Sequence, residues 1–433
     1  MFESHLPSAI IVHGSLLLHT LELIYELNEF GHHFVIVVGE ADENLVSKAS
    51  QHVKLLRWAD LEAQGKEAPL ITSPAPGECH SPRRYLSRSP VLTSGPDDVF
   101  TTSFYRDTND EVQAAHFTHQ NVTSGVTAIR ALLPPATPLS ALDTIVSAHS
   151  LSTAFGRSVA YTALYEGSSF ATLESSKLFQ LDPGITYDLE SYSCIVLTSV
   201  LTVSSSPIDD ALSTRHLGLP PTTVLFLKPN HLQGVVDAIM ANAKYSFFFS
   251  LACLHKLAGI SEGFFTKESL WDRLALDNAR SAVFGDDAPS IRGVVVGDGN
   301  VPARQLTNAR IALSVPLVFT HTHPLVAAPI LATHPQDVQT FPVTSDQAIA
   351  HVGPPTVNIE VKLVDVDDGA VERGEDPEGV LHVRGPIVGR VLFLADASEA
   401  DGESNTEEPW VSTGIRARVQ TNGTFKAWTT AKV

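Results

Sequence analysis

Cysteine is scarce in this chain: three residues, Cys79, Cys194 and Cys253, are scattered over 433 positions. An odd, dispersed set argues against a disulfide framework and suits free thiols in a reducing compartment. Positive charge is also short, with 29 basic side chains against 48 acidic ones and a formal net charge of −19. A field of that sign repels phosphate backbones, so no nucleic acid partner is expected, and any polyanionic ligand needs a local basic or glycine-rich cradle. Long hydrophobic runs are missing too. The longest, Phe247 to Leu254, falls far below the ~20 residues of a spanning helix, so no transmembrane span is expected. That run is expected to pack inside, with a peripheral membrane contact as the alternative. Met1 to Pro7 is mixed and polar and lacks the pattern of a secretory leader. The sequons at Asn121-Val122-Thr123 and Asn422-Gly423-Thr424 are therefore read as chance, and the expected location is cytoplasmic, with a peripheral place on an intracellular membrane as an addition.

What is present is core material, with 43% hydrophobic and 18% charged residues, in a chain long enough for more than one subdomain. Ala9-Ile10-Ile11-Val12, Phe34 to Val38 and Val53 to Leu56 read as strands, separated by a helix over Ser15 to Phe30 that Gly31 stops. Trp58 to Gln64 reads as helical. Residues 65–96 carry six prolines and read as a mobile loop holding Arg83, Arg84 and Arg88, either a solvated segment or an anion or membrane-surface contact. Strands are expected at Asp143–Val146, Cys194–Val200, Thr223–Leu227, Val294–Val296 and Val315–Phe319. Helices are expected at Phe155–Tyr165, His231–Ala243, Ser246–Ala258, Glu268–Ala282 and Arg304–Ile311. This repeated rhythm implies an α/β class with parallel sheets covered by helices. After about residue 350 the alternating runs Val357–Val366 and Gly379–Val383 predict a small antiparallel, barrel-like subdomain. Ala395 to Glu408 is an acidic segment read as a solvated loop.

Several stretches, in order, resemble the AMP-forming long-chain acyl-CoA synthetases, members of the adenylate-forming enzymes. The most specific is Val352-Gly353-Pro354-Pro355 running to Val366, followed by Glu378 to Pro386, which matches VGxPxPxxEVKLVDV and GEILVRGP in motif and spacing. Trp410 to Ile415 resembles W-F-x-T-G-D, Gly423 to Lys426 resembles G-x-L-K, and Ile291 to Pro302, with Gly297 and Gly299, resembles the segment ending in GG-[AS]-P. Thr118-His119-Gln120-Asn121 resembles T-H-x-N, and Leu151 to Gly167 resembles P-L-A-H-x-F-x-R with its helix. The resemblance implies an adenylate-forming large domain: an AMP-binding-like body over 1–345 and a β-rich subdomain over 346–433 that ends at the hinge. The family's first stretch and its small C-terminal domain are expected to be absent. The family's cofactors are ATP, Mg²⁺ and CoA.

The family's phosphate loop, T-S-G-T-T-G-x-P-K-G, approaches a triphosphate through glycine backbone. Here Thr102 and Ser103 match, but Phe104, Tyr105, Arg106, Asp107, Asp110 and Glu111 follow. Added carboxylates near phosphates cost ~1–4 kcal/mol per like-charge pair at close range. The stretch is expected to be a solvated polar loop, with Arg106 as an alternative anion binder. In the Y-G-x-T-E motif, matched by Phe319 to Val326 with Thr322 inside it, Leu325 replaces the glutamate that holds Mg²⁺; an aliphatic side chain cannot ligate a hard cation. His321 and His323 would share a face if both lie on a strand, as metal ligands or as ordinary packing groups. Thr413 and Gly414 match, but Ile415 replaces the ribose-binding aspartate. Thr429 and Thr430 replace the hinge D-R, Thr153 replaces the histidine of P-L-A-H, with His149 four positions off register, and the family's C-terminal lysine has no counterpart. No catalytic and no metal-binding residue is assigned and no cofactor is expected. Three readings follow: a catalytically inactive binding or regulatory module, whose partner is a fatty acyl chain or an active paralogue; an active ATP-dependent fatty acid–CoA ligase with divergent motifs; or a truncated gene product.

Overall fold

The expected strands are short and rich in β-branched side chains, and those at the centre of the larger parallel sheet are buried on both faces. The computed structural model describes residues 9–26, 34–50, 52–67, 95–107, 111–172, 220–264, 266–337, 339, 349–392 and 409–428. The expectations at Arg83, Arg84, Arg88, Cys79, Cys194–Val200, Ala395–Glu408, Thr429 and Thr430 lie outside the described residues. Packing divides the chain into two compact units, Met1–Thr93 and Ser94–Val433.

In the first unit, β1 (Ala9–His13), β2 (Phe34–Val38) and β3 (Lys54–Arg57) form a parallel sheet in that order. The helices are α1 (Leu17–Glu26), α2 (Glu43–Ala49) and α3 (Trp58–Glu67). Leu17, Leu21 and Ile24 stand at i, i+4 and i+7 on α1 and are buried with Val35 and Val37 of the sheet.

The second unit is built on a six-stranded sheet. Its strands are β6 (Thr144–Ser147), β7 (Ser169–Thr172), β8 (Val224–Leu227), β9 (Gly293–Val296), β10 (Leu317–His321) and β11 (Leu331–Ala332). They lie in the order β11-β10-β9-β8-β6-β7, parallel except for the short edge strand β11. Every residue of β6, β8, β9 and β10 is buried. The helices are α4 (His119–Arg130), α5 (Ala154–Glu166), α6 (Pro229–Ala243), α7 (Phe249–Ser261), α8 (Asp277–Phe284) and α9 (Ala303–Leu313). The single helix expected over Glu268–Ala282 is broken by a wider, π-type turn at Asp272–Leu276. There the fully buried Asp272 carboxylate accepts from Lys256, from the Ser269 hydroxyl at 2.5 Å and from Arg280 at 2.8 Å.

Two antiparallel sheets complete this unit. One is β4 (Val99–Arg106), β5 (Val112–Thr118) and β14 (Arg390–Leu392), ordered β14-β5-β4. The other is β12 (Glu360–Val364), β13 (Glu378–Arg384), β15 (Val411–Val419) and β16 (Phe425–Trp428), in that order. The barrel-like expectation is corrected: among the described residues neither sheet closes, with β12 paired on one side only and β16 meeting, beyond β15, just the isolated bridge Gly353–Phe425. The described residues of 349–428 share one continuous core with the α/β body, in which Ile359, Leu381, Ile415 and Phe425 belong to the same cluster as Val294 and Phe319.

Candidate functional site

The VGPP stretch is a seam between strands. The Val352 N–H donates to the Phe425 carbonyl at 2.7 Å, the Phe425 N–H returns to Gly353 at 2.9 Å, and the Ala332 N–H reaches Pro354 at 3.1 Å. Gly353 has φ +86°, and a β-carbon there would sit 2.0 Å from the Ala332 carbonyl oxygen, so only glycine fits. Thr118 caps α4 through a capping box: its hydroxyl accepts from the Asn121 N–H at 3.2 Å, and its own N–H donates to the Asn121 side chain at 2.8 Å. The Asn121 amide then donates to the carbonyls of Pro386 and Val388 at 2.9 and 3.1 Å. T-H-x-N and R-G-P are therefore two halves of one joint.

The residues facing the family's nucleotide position form a rim above the C-terminal ends of the parallel strands, where open α/β sheets place ligands. The expected loop after Thr102 and Ser103 is instead a regular hairpin. β4 and β5 pair from Thr101–Phe117 out to Arg106–Val112, with Thr102 opposite His116 and Ser103 opposite Ala115. Val99 to Tyr105 is rich in aromatic and β-branched residues, which suits a pleated ladder better than a glycine loop. The peptide groups on the facing edges of this hairpin are engaged by each other. The Asp107 N–H closes the turn onto the Glu111 carbonyl at 2.9 Å. Burial and the Asp107 charge push the Tyr105 phenol up to about 12. Ser103 is buried, and its hydroxyl accepts from Arg157 at 2.5 Å. Arg157 also holds the carbonyls of Leu151 and Ser152 at 3.0 and 2.9 Å, and burial lowers its pKa. This anchoring role escapes the sequence, since nothing local to Arg157 points to Ser103. Thr153, standing where the family has histidine, is the N-cap of α5, its hydroxyl accepting from the Gly156 N–H at 3.1 Å.

Gly297 follows β9, and a β-carbon there would lie 2.6 Å from the Thr320 hydroxyl, 3.3 Å from the Thr322 methyl and 3.7 Å from the His149 ring. Gly299 packs against Pro229. Phe319 is 1% exposed and Leu325 is 3% exposed, so both are core residues. The Leu325 carbonyl accepts from the Gly389 N–H at 2.8 Å, and its N–H donates to His323 Nδ1 at 3.2 Å. The strand ends at His321, which corrects the shared-face expectation: His323 lies in the following turn, with its ring 6.2 Å from Tyr105. Thr413 is buried and donates its hydroxyl to the Leu381 carbonyl at 2.7 Å; the Ile415 N–H donates back to that hydroxyl at 3.2 Å, and the Ile415 side chain is in the core. Gly414 takes φ +67° between them.

His149 and His321 are 2% and 7% exposed, and Nε2 of each lacks a hydrogen-bond partner among the described residues. Burial pulls both rings down to about 4, against the partial opposition of the Asp298 charge, so both are neutral at pH 7. His231 and His323 are lowered to about 4 by burial as well. Lys228 pairs with Asp298 at 3.6 Å. Among the described residues no group of three or more His, Cys, Asp or Glu side chains is placed to hold a metal ion. The structure thus gathers the hairpin at 102–107, Gly297, Thr320 to His323 and Thr413 around one rim, while Phe319, Leu325 and Ile415 point into the core beneath it.

The AMP-binding enzyme family model matches residues 113–393, more than half of the chain. Human long-chain-fatty-acid–CoA ligase 1 is 27% identical over 236 residues, covering 54% of this chain and 32% of that protein. Rat long-chain-fatty-acid–CoA ligase 5 is 24% identical over 396 residues, covering 90% of this chain and 48% of that protein. The chain spans half or less of the length of these relatives. Among solved structures, O-succinylbenzoate coenzyme A synthetase from Bacillus subtilis, in complex with ATP and magnesium ion, aligns with a TM-score of 0.53 at 13% identity, covering 97% of this chain and 68% of that one. The luciferase-like enzyme of the mealworm Zophobas morio aligns with a TM-score of 0.55 at 12% identity, covering 98% and 72%. The fold is that of the adenylate-forming enzymes, and the chain belongs to the AMP-binding enzyme family as an acyl-CoA synthetase-like member.

Proposed function

We propose that this chain is a binding or regulatory module of the acyl-CoA synthetase type that does not catalyse adenylation. One observation carries the reading: at the position of the magnesium-holding carboxylate the chain has Leu325, 3% exposed and packed in the core. A side chain of carbon and hydrogen offers a hard cation no oxygen. Ile415, also buried, stands where a carboxylate would meet ribose hydroxyls. At the phosphate-loop position the hairpin uses its facing peptide groups on itself and carries Asp107 and Glu111 at its turn. Each lost donor is worth ~2.7–4 kcal/mol of transition-state stabilisation, so several losses together remove much of the ~8–23 kcal/mol an enzyme supplies. The residues present do not fit a nucleoside triphosphate with its magnesium, and no catalytic step is assigned. The partner of such a module is a fatty acyl chain or an active paralogue of the same fold, encountered in the cytoplasm.

The test is thermal unfolding of the purified chain with Mg-ATP, beside an assay for carboxylate-dependent exchange of pyrophosphate into ATP. No shift and no exchange are expected. A bound nucleotide at a hundred times its Kd would add about 2.7 kcal/mol, and such a shift, or any exchange, returns the chain to the active ligases.

A further inference from the structure

Helix α7 is built inside out. Its buried side carries Ala252, Ile260 and a lysine: Lys256 is 6% exposed, with its ammonium held by Asp272 and by the Thr266 carbonyl at 2.5 Å. Its solvent side carries Leu251, Leu254 and Leu257, at 53%, 66% and 45% exposed. Phe247, just before the helix, is 93% exposed. On the helix Leu251, Leu254 and Leu257 follow at i, i+3 and i+6 and form one stripe, which Phe247 precedes from the turn before it. The stripe is extended at both ends. Phe264, 68% exposed, is tied back by its N–H to the Gly259 carbonyl at 2.8 Å. The Ser246 hydroxyl donates to the Leu274 carbonyl at 2.9 Å, which brings the turn carrying Leu270, 64% exposed, alongside. The expectation that the run Phe247 to Leu254 packs inside is therefore reversed for Phe247, Leu251 and Leu254, while Phe249 packs against the core. Water is a poor solvent for this much projecting apolar surface.

The charge around the stripe is as unusual as its hydrophobicity. From Tyr245 to Ser261 the chain has no carboxylate, although it carries 48 in all. Between Tyr245 and Ser261 the exposed polar side chains are Tyr245, Ser250, His255 and Ser261, and the first exposed carboxylates, Glu262 and Glu268, come after the helix, near Phe264 and Leu270 in the chain. We propose that this face is a docking surface for the interface of a lipid bilayer with zwitterionic headgroups, entered by the Phe247, Leu251 and Leu254 side chains while the rest of the unit stays in water. Two features select lipid over a protein partner. The side chains stand proud of the surface, which suits insertion between acyl chains. The face also offers few of the hydrogen-bonding groups that protein interfaces use at about one bond per 100–200 Å². The net charge of −19 selects zwitterionic over anionic headgroups, because the field around the stripe repels the latter. Among the described residues no helix is long and apolar enough to cross a membrane, so the contact is peripheral.

The test is flotation of the full chain with phosphatidylcholine vesicles, and with vesicles in which a third of the lipid is phosphatidylserine. Binding to the first is expected. Binding to the second is expected to be weaker at low salt and to recover as salt screens the repulsion. The double substitution Phe247→Asp with Leu254→Asp puts carboxylates at exposed positions and should lower partition at least about tenfold, with the urea midpoint unchanged. Phe247→Trp keeps the apolar surface and should show blue-shifted fluorescence on adding vesicles; this readout decides the matter if the double variant does not fold. Absence of wild-type flotation, equal flotation of the double variant, an unshifted tryptophan, or a lipid-free dimer that the double variant loses would each overturn the proposal, the last by giving the face to a second copy. None of these outcomes depends on whether the chain binds ATP.

Discussion

Along the seam from Val352 to Pro386, the residues that match the family have their partners inside the chain. The Gly353 backbone bonds Phe425 and leaves no room for a side chain against Ala332, and the Asn121 amide closes on the carbonyls of Pro386 and Val388. Along the rim made by 102–107, 319–325 and 413–415, the departures from the family are satisfied internally too, but by burial. Leu325 and Ile415 enter the core, and the hairpin pairs with itself. A motif residue whose partner is the backbone is held by the fold whatever the chain binds. A motif residue whose partner is a ligand is held only by that ligand, and carbon can replace oxygen there once the ligand is gone. The matches at the seam therefore speak for architecture, and the departures at the rim speak about chemistry.

The comparison can be broken most forcefully with acid, because the titrating core groups lie under the rim. His149 and His321 titrate near 4 in the folded chain against 6.5 in an exposed ring. A depressed histidine binds its proton sooner in the unfolded state, so stability is full above pH 6.5 and is lost as pH falls towards 4. Each contributes about 3 kcal/mol over that window. Asp143 adds little there: burial alone would raise it, but hydrogen bonds from Arg292 and Thr223 bring it down to about 2, so its loss comes only below its ordinary value of 3.8. Urea titrations at pH 7, 6, 5 and 4 should show this fall, and a flat profile down to pH 4 would mean that the rim histidines are solvated. At the seam, Gly353→Ala should cost about 3 kcal/mol or more, since both the positive φ and the Ala332 carbonyl oppose it. Calorimetric or urea midpoints within error of the parent would show that the seam yields. Asn121→Ala removes the capping-box partner and two carbonyl contacts and should cost about 2 kcal/mol in the same titration; a smaller loss than that of an exposed control on α4 would refute the joint. The smallest change is expected at the rim itself. Thr102→Ala should alter stability by no more than about 0.5 kcal/mol, and the difference should be the same with and without Mg-ATP, whereas a nucleotide-dependent difference would make Thr102 a ligand contact.

Much of the architecture was legible because it rests on local patterning. The runs at Phe34–Val38, Thr223–Leu227 and Val294–Val296 became strands, and those at Phe155–Tyr165 and His231–Ala243 became helices. The site was legible as a set of residue types but not as an arrangement. Ser103 looked like the remnant of a loop, yet it sits on a ladder and is claimed by Arg157, which lies 54 positions away in the chain. His149 was four positions out of register in the sequence and still lies beside Gly297. The Phe247 to Leu254 run misled because hydrophobicity names a preference for leaving water and not the surface that receives the residue; Lys256, paired with Asp272, took the inward position instead.

By itself, then, the order of residues determined the β-α rhythm, the acidic field and the absence of an oxygen at Leu325 and Ile415, since each is a property of composition or of neighbours a few positions apart. Only the tertiary structure decided that the stretch after Ser103 is a hairpin, that the histidines are neutral, and that α7 turns its leucines outward. Those outcomes depend on burial and on partners tens or hundreds of residues away, where desolvation and backbone pairing outweigh local preference.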